Sequence, residues 1–235
     1  MRALYAGMVT LVDRWVGHML DKIGKLSLLG EAAVVFTTDH GFYHGEHGRV
    51  GKHTVLNHRD GWPLYEEVSH IPLMMSIPGV PRGRRCDALI QPVDITATIL
   101  DLAGVQAPRD LHGRSILPVL RGEEKRIREI AVCSGGPSFA GPSPERPPPH
   151  IRHRFVLSPD PEYVQHSTVT DGEWTLLYAT EGVHAELYNL RADPKQEHNV
   201  ISENPEVAKK LHRKFYRFLV DIGTSEELLK LRREL

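Results

Sequence analysis

Three groups able to do chemistry crowd one short stretch of the chain: a carboxylate at Asp39, an imidazole at His40 and an ammonium at Lys52. A carboxylate beside a neutral imidazole suits a divalent cation, either a hard one bound chiefly through oxygen or a transition metal that accepts nitrogen. A long cationic side chain brought to the same place neutralises negative charge as it develops on a leaving oxygen. His44, His47, His53 and His58 follow closely and raise a second reading, a zinc site built from His40, His44 and His47. That reading is the weaker, because histidines so spaced share a face only on a helix, and Gly45, Gly48 and Gly51 oppose one.

The elements that must position these groups are read from the flanks. Ala33, Val34, Val35, Phe36 and Thr37 form an apolar, β-branched run with the character of a buried strand, and Asp39 and His40 stand at its carboxyl end. In open α/β sheets, ligands collect beyond the carboxyl ends of strands. Adjacent strand residues point to opposite faces, so both side chains reach one ion only where the strand has ended and the backbone turns, which Gly41 permits. Upstream, Leu4, Met8, Leu11, Val12, Trp15, Met19 and Ile23 recur every three or four residues and predict a helix from Ala3 to Leu26, with Asp13 facing solvent. A helix followed by a strand is the repeating unit of an α/β sheet. Residues 41–62 read as a long loop and 71–77 as the next strand, and Asp94 reads as the cap of a helix with Ile95, Ile99 and Leu102 on its apolar face. Further on, 163–170, 173–178 and 185–190 alternate polar and apolar residues as antiparallel hairpins do, and Asn204 with Pro205 opens a terminal helix.

The motifs Thr37-Thr38-Asp39-His40-Gly41, Gly45-Glu46-His47-Gly48, Gly51-Lys52, Tyr65-Glu66-Glu67 and Ile71-Pro72-Leu73 resemble the second half of a sulfatase, in the alkaline-phosphatase-like superfamily. Residues 93–104, 111–122 and 186–190 resemble scaffold stretches of the same family. The resemblance implies an α/β fold, an alkaline-phosphatase-like sheet with flanking helices, here partial, plus a small carboxyl-terminal antiparallel sheet and helix. It implies Asp39 and His40 as two metal ligands and Lys52 as the catalytic residue that contacts the transferred group; of the loop histidines, His53 and His58 are read separately as lining the substrate pocket. The implied metal is divalent, calcium first, with manganese or another transition metal as the alternative.

The family's nucleophile is a formylglycine made from a Cys or Ser that heads a motif ending in Arg. Cys86-Asp87-Ala88-Leu89-Ile90 lacks the arginine, and Cys133 is followed by residues that match neither required position. The expectation is therefore metal-dependent cleavage of sulfate esters in a full-length parent, with the formylglycine on a segment outside these residues and the isolated chain inactive. A phosphate or phosphonate monoester hydrolase of the same superfamily and a non-catalytic remnant acting as an interaction module are the alternatives.

Composition sets the remaining bounds. At 235 residues, 40% hydrophobic and 25% charged, the chain is long and apolar enough for a real core. Its division is expected at 1–130 for a partial sulfatase core, 131–160 for a proline-rich loop or linker and 161–235 for a sheet-plus-helix subdomain. A formal net charge of -1 opposes a nucleic-acid partner. No apolar run is long enough for a membrane span, and the opening residues lack a signal-peptide core, so the chain as it stands is expected in the cytoplasm, away from membranes. The expected partner is a sulfated or phosphorylated small molecule or glycan, with a homo-oligomer left open. Two cysteines leave one disulfide open.

Overall fold

The computed structural model describes residues 1–52, 63–134, 166–180 and 184–235. Helix α1, Arg2–Lys25, forms where the apolar spacing predicts it, with Lys22 and Lys25 in the last turn complementing the negative end of its dipole. None of its residues is buried. Strand β1, Val34–Thr37, follows and delivers Asp39 and His40 just past its end.

The stretch after His40 is more ordered than a loop. Strands β2, Tyr43–His44, and β3, Val50–Gly51, pair antiparallel as a short hairpin, with Tyr43 opposite Gly51. Left-handed backbone at Gly45, His47 and Gly48, with φ of 113°, 53° and 67°, folds the chain back on itself. That reversal returns Lys52 to the neighbourhood of His40. Helix α2, Glu66–Ser69, is a single turn, and strand β4, Leu73–Ser76, then pairs antiparallel with β1, Val34 opposite Ser76 and Thr37 opposite Leu73.

Helix α3, Pro92–Leu102, begins two residues before the expected cap. Asp94 caps it from the third helical position instead: its carboxylate accepts the Gln91 amide at 2.7 Å and, on the other oxygen, the Arg114 amide at 2.9 Å and the Arg128 guanidinium. Asp94 is wholly buried, so this pairing satisfies a charge that would otherwise be costly. Helix α4, Leu117–Arg121, follows, and Ile116 and Val119 pack with Ile127 into a small cluster beneath Leu73 and Met75 of β4.

Strand β5, Ala131–Ser134, opens a four-stranded antiparallel sheet that continues through β6, His166–Thr170, β7, Trp174–Ala179, and β8, Glu186–Asn189. Residues 131–134 thus belong to this sheet by hydrogen bonding, although the sequence pattern grouped them with the proline-rich stretch. Helix α5, Pro205–Asp221, lies on the sheet and buries Leu211, Phe215 and Leu219. The contact stripe is centred one position beyond the expected one, so Val207, Phe218 and Ile222 flank it half-buried. Helix α6, Glu226–Lys230, closes the chain's end, where the Tyr178 hydroxyl donates to the Leu231 carbonyl at 3.1 Å. Both cysteines are free, so the disulfide left open by the sequence is not formed. No helix among the described residues is long and apolar enough to cross a membrane.

Candidate functional site

Past β1 the backbone leaves the strand, and Asp39 and His40 turn to the same side. The Asp39 carboxylate accepts the His40 amide at 3.0 Å with one oxygen, and its other oxygen lies 3.4 Å from His40 Nε2. The imidazole is held from behind: Nδ1 lies 2.8 Å from the Gly41 carbonyl oxygen, which can only accept, so Nδ1 carries the proton. Nε2 therefore presents a lone pair, and the Lys52 ammonium donates into it at 2.7 Å. The structure thus brings Asp39, His40 and Lys52 together. His53 and His58 lie outside the described residues.

This donor set fits a divalent cation. The Asp39 side chain is 82% exposed and that of His40 33%, so both acceptor atoms are open to solvent on one side. An imidazole whose far nitrogen is anchored to a backbone carbonyl is the usual arrangement of a metal-ligating histidine. A cationic group, that of Lys52, already faces the lone pair. Slight desolvation, which would raise it, is outweighed at Asp39 by His40, by the backbone amides of Asp39 and His40 and by the Thr38 hydroxyl, so its carboxyl sits below the usual range. The carboxylate is ionised at neutral pH, as a ligand must be.

The alternative zinc triad is not assembled. The His44 ring packs at a tilt against Tyr5 and Phe42, with centroids 4.1 and 4.9 Å away, while His47 lies flat on Tyr65 at 3.7 Å. Glu46 orders the hairpin by accepting from the His44 amide and from the Arg2 guanidinium at 2.9 Å. Among the described residues, one group of three potential ligands converges, Asp193, Glu197 and His198 in the loop after β8. The Asp193 carboxylate there accepts the His198 amide at 2.8 Å and so serves the turn itself.

Behind the site turn the packing is close. The Gly41 amide donates to the Val68 carbonyl at 2.9 Å and the Phe42 amide to that of Glu67 at 3.0 Å. A Cβ at Gly41 would stand 1.9 Å from the Glu67 carbonyl oxygen, which explains the glycine better than any turn requirement. Tyr65, one residue before α2, is buried with Tyr43, Val68, Leu177 and Tyr188. Its hydroxyl donates to Glu186 of β8 at 2.7 Å, and Tyr188 donates to the same oxygen at 2.7 Å. Burial first, and then the bond to Glu186, push both phenols well above their ordinary range. Gln196, whose side-chain carbonyl accepts the Glu66 amide at 2.8 Å, has no signal in the sequence, and Glu186 shows there only as part of a scaffold stretch, because both lie far along the chain with nothing in local pattern to link them to Asp39.

Comparison with known proteins agrees with this architecture. The family model for the carboxyl-terminal region of N-sulphoglucosamine sulphohydrolase matches residues 51–132. The N-acetylglucosamine-6-O-sulfatase of Bacteroides thetaiotaomicron is 30% identical over 209 residues, 88% of this chain and 33% of that protein. Arylsulfatase K of Rattus norvegicus is 28% identical over 214 residues, 89% of this chain and 33% of that protein. The chain thus spans about a third of the length of the curated relatives it matches. A solved structure bound to its substrate D-glucosamine-2-N,6-O-disulfate superposes with a TM-score of 0.71 at 25% identity, covering 94% of this chain and 40% of that one. The phosphonate monoester hydrolase of Agrobacterium radiobacter shares the fold, with a TM-score of 0.72 at 24% identity over 94% of this chain and 41% of its own.

Proposed function

We infer, for a chain that belongs to the sulfatase family and corresponds to the carboxyl-terminal portion of its alkaline-phosphatase-like fold, that it supplies the metal-and-lysine half of a site hydrolysing sulfate esters. The convergence of Asp39, His40 and Lys52 at a strand end carries this reading. Asp39 and His40 hold a divalent cation, calcium first and manganese as the alternative, since one ligand is a hard oxygen and the other a nitrogen. When bound, that cation polarises the sulfate oxygens and neutralises their charge. His40 keeps its proton on Nδ1, so its Nε2 lone pair, which accepts from Lys52 in this structure, is the one an ion would take. Lys52 directs positive charge toward the leaving oxygen.

The nucleophile, a formylglycine, comes from residues outside these 235, because neither cysteine, and no serine, heads the required motif. The substrate class is a sulfated amino sugar or glycan, by kinship with a protein named N-acetylglucosamine-6-O-sulfatase and with a solved structure in complex with its substrate D-glucosamine-2-N,6-O-disulfate.

Calorimetry with calcium and manganese on the purified chain should detect binding that is lost in Asp39→Ala. Assays on aryl sulfate and aryl phosphonate esters should show no turnover by the chain alone, and sulfate ester turnover by a parent that carries the nucleophile. Metal-dependent turnover by the isolated chain, abolished by Asp39→Ala, would mean that a nucleophile lies within these residues and would overturn the division of labour. Metal binding unchanged by Asp39→Ala would remove the pair from the metal site.

A further inference from the structure

The carboxyl-terminal unit grips the segment directly behind the site turn at three points. The Thr168 hydroxyl donates to the Leu64 carbonyl at 2.7 Å, the Gln196 side-chain carbonyl accepts the Glu66 amide at 2.8 Å, and Glu186 accepts the Tyr65 hydroxyl at 2.7 Å. The Glu186 contact stands apart, because one carboxylate oxygen receives two phenol hydroxyls, those of Tyr65 and Tyr188, both only 5% exposed. Hydrogen bonds to an ionised acceptor are shorter and roughly twice as strong as neutral ones, and here they lie between buried rings. Two buried phenols converging on one side-chain oxygen fix where Tyr65 stands.

From Tyr65 to the site the path has no slack. Tyr65 leads into α2, whose Glu67 and Val68 carbonyls hold the amides of Phe42 and Gly41. Gly41 is pressed so closely on Glu67 that no side chain fits between them. The Gly41 carbonyl in turn takes the proton of His40 Nδ1. Which ring nitrogen of a histidine carries the proton is set by the bonds its two nitrogens make, so the Gly41 carbonyl at Nδ1, together with the Lys52 ammonium at Nε2, holds the tautomer in which Nε2 offers a lone pair.

We propose that Glu186 is a positioning residue for the Asp39–His40 pair, acting through Tyr65 and α2 to hold the Gly41 carbonyl that keeps His40 in its ligand-ready tautomer. The proposal rests on the metal role inferred above for that pair, yet its first readout is independent of any metal.

The test is nitrogen-15 NMR of the His40 ring in the purified chain, paired with manganese titration. In the unaltered chain His40 should carry its proton on Nδ1. Tyr65→Phe, which keeps the ring stack and loses the hydroxyl, and Glu186→Ala should both move population toward the Nε2 tautomer and weaken manganese binding by about tenfold, the scale of lost outer-shell support. Combining the two substitutions should add little, because they break one path. Glu186→Gln still accepts a hydroxyl through its amide oxygen and should restore most of the wild-type tautomer. Tyr178→Phe, which removes another hydroxyl bond from the same sheet, should leave the tautomer unchanged.

An unchanged His40 tautomer in folded Tyr65→Phe, or an equal shift in Tyr178→Phe, overturns the proposal. If Glu186→Ala does not fold, Tyr65→Phe and Glu186→Gln decide the matter. If the unaltered chain binds no manganese, the metal reading fails alone, and the positioning role still stands or falls on the tautomer.

Discussion

In α5, Leu211, Phe215 and Leu219 lie against the four-stranded sheet and are 1%, 0% and 3% exposed; in α1, Leu4, Met8, Trp15 and Met19 repeat a similar spacing and are 77%, 57%, 64% and 52% exposed. The same contrast runs through the strands, since β6 and β7 are buried almost throughout whereas no residue of β1 or β4 is. Amphipathic periodicity thus prescribes a face, and what covers that face is a separate matter. The carboxyl-terminal unit carries both partners of its interface within these residues. Under the reading proposed above, the cover for α1 and the β1–β4 pair is the remainder of the sulfatase fold, of which this chain spans about a third. The site sits at the seam. Asp39 and His40 come from the uncovered region, and the backing that holds their turn comes, through Tyr65, from the closed one.

The largest effect expected from this contrast is on stability. Phe215→Ala removes a fully buried ring and should cost about 3–5 kcal/mol in chemical denaturation, whereas Met8→Ala on the open face of α1 should fall within about 0.5 kcal/mol. Equal costs would mean that α1 is covered in solution, through self-association, and light scattering across a concentration series would then show the oligomer. A smaller effect is expected at the seam. Gly41→Ala forces a methyl onto the Glu67 carbonyl and should destabilise by about 1–3 kcal/mol, the scale of overpacking. It should also displace the amides of Gly41 and Phe42 from α2, seen as faster hydrogen exchange there than in β7.

The smallest effects, opposite in sign, concern pH. Burial, and the neighbouring Arg213, hold the His212 pKa below its ordinary 6.5 despite the bond its Nε2–H gives the Arg232 carbonyl. The unfolded chain therefore binds that proton more readily, so the stability His212 allows is present above about pH 6.5 and declines as pH falls below it. His70 behaves oppositely, because its bond to Glu66 raises its pKa above 6.5 against some desolvation. Its contribution is full below pH 6.5 and is lost as pH rises through the raised value. Denaturation midpoints measured from pH 5 to 8 should lose their acid-side fall in His212→Gln and show a flatter alkaline side in His70→Gln. The reverse pattern would assign the titrations wrongly.

Much of the local architecture was legible because it is written in short-range pattern. The spacing from Leu4 to Ile23 marks α1 within a residue or two, the run ending at Thr37 marks β1, and the alternations read within 163–170, 173–178 and 185–190 mark β6, β7 and β8, though not β5. The polar pair at a strand end was legible too, since a strand that stops at Thr37 must put the side chains that follow, Asp39 and His40, at the sheet's edge. The hairpin between Tyr43 and Gly51 was not, because its signal lies in left-handed backbone that even His47 adopts and that composition alone does not display.

By itself, then, the sequence determined which segments become helices and strands, and which residue types stand at the mouth of β1, because those follow from neighbours a few positions apart. Lys52 was expected at the site of Asp39 and His40, but tertiary structure alone decided that it bonds His40 Nε2, that Gly41 is required by the Glu67 carbonyl and that Glu186, far along the chain, backs the turn through Tyr65. Such contacts join positions whose separation along the chain carries no periodic trace, and only packing of one element on another brings them within the 2.7–3.0 Å of a hydrogen bond.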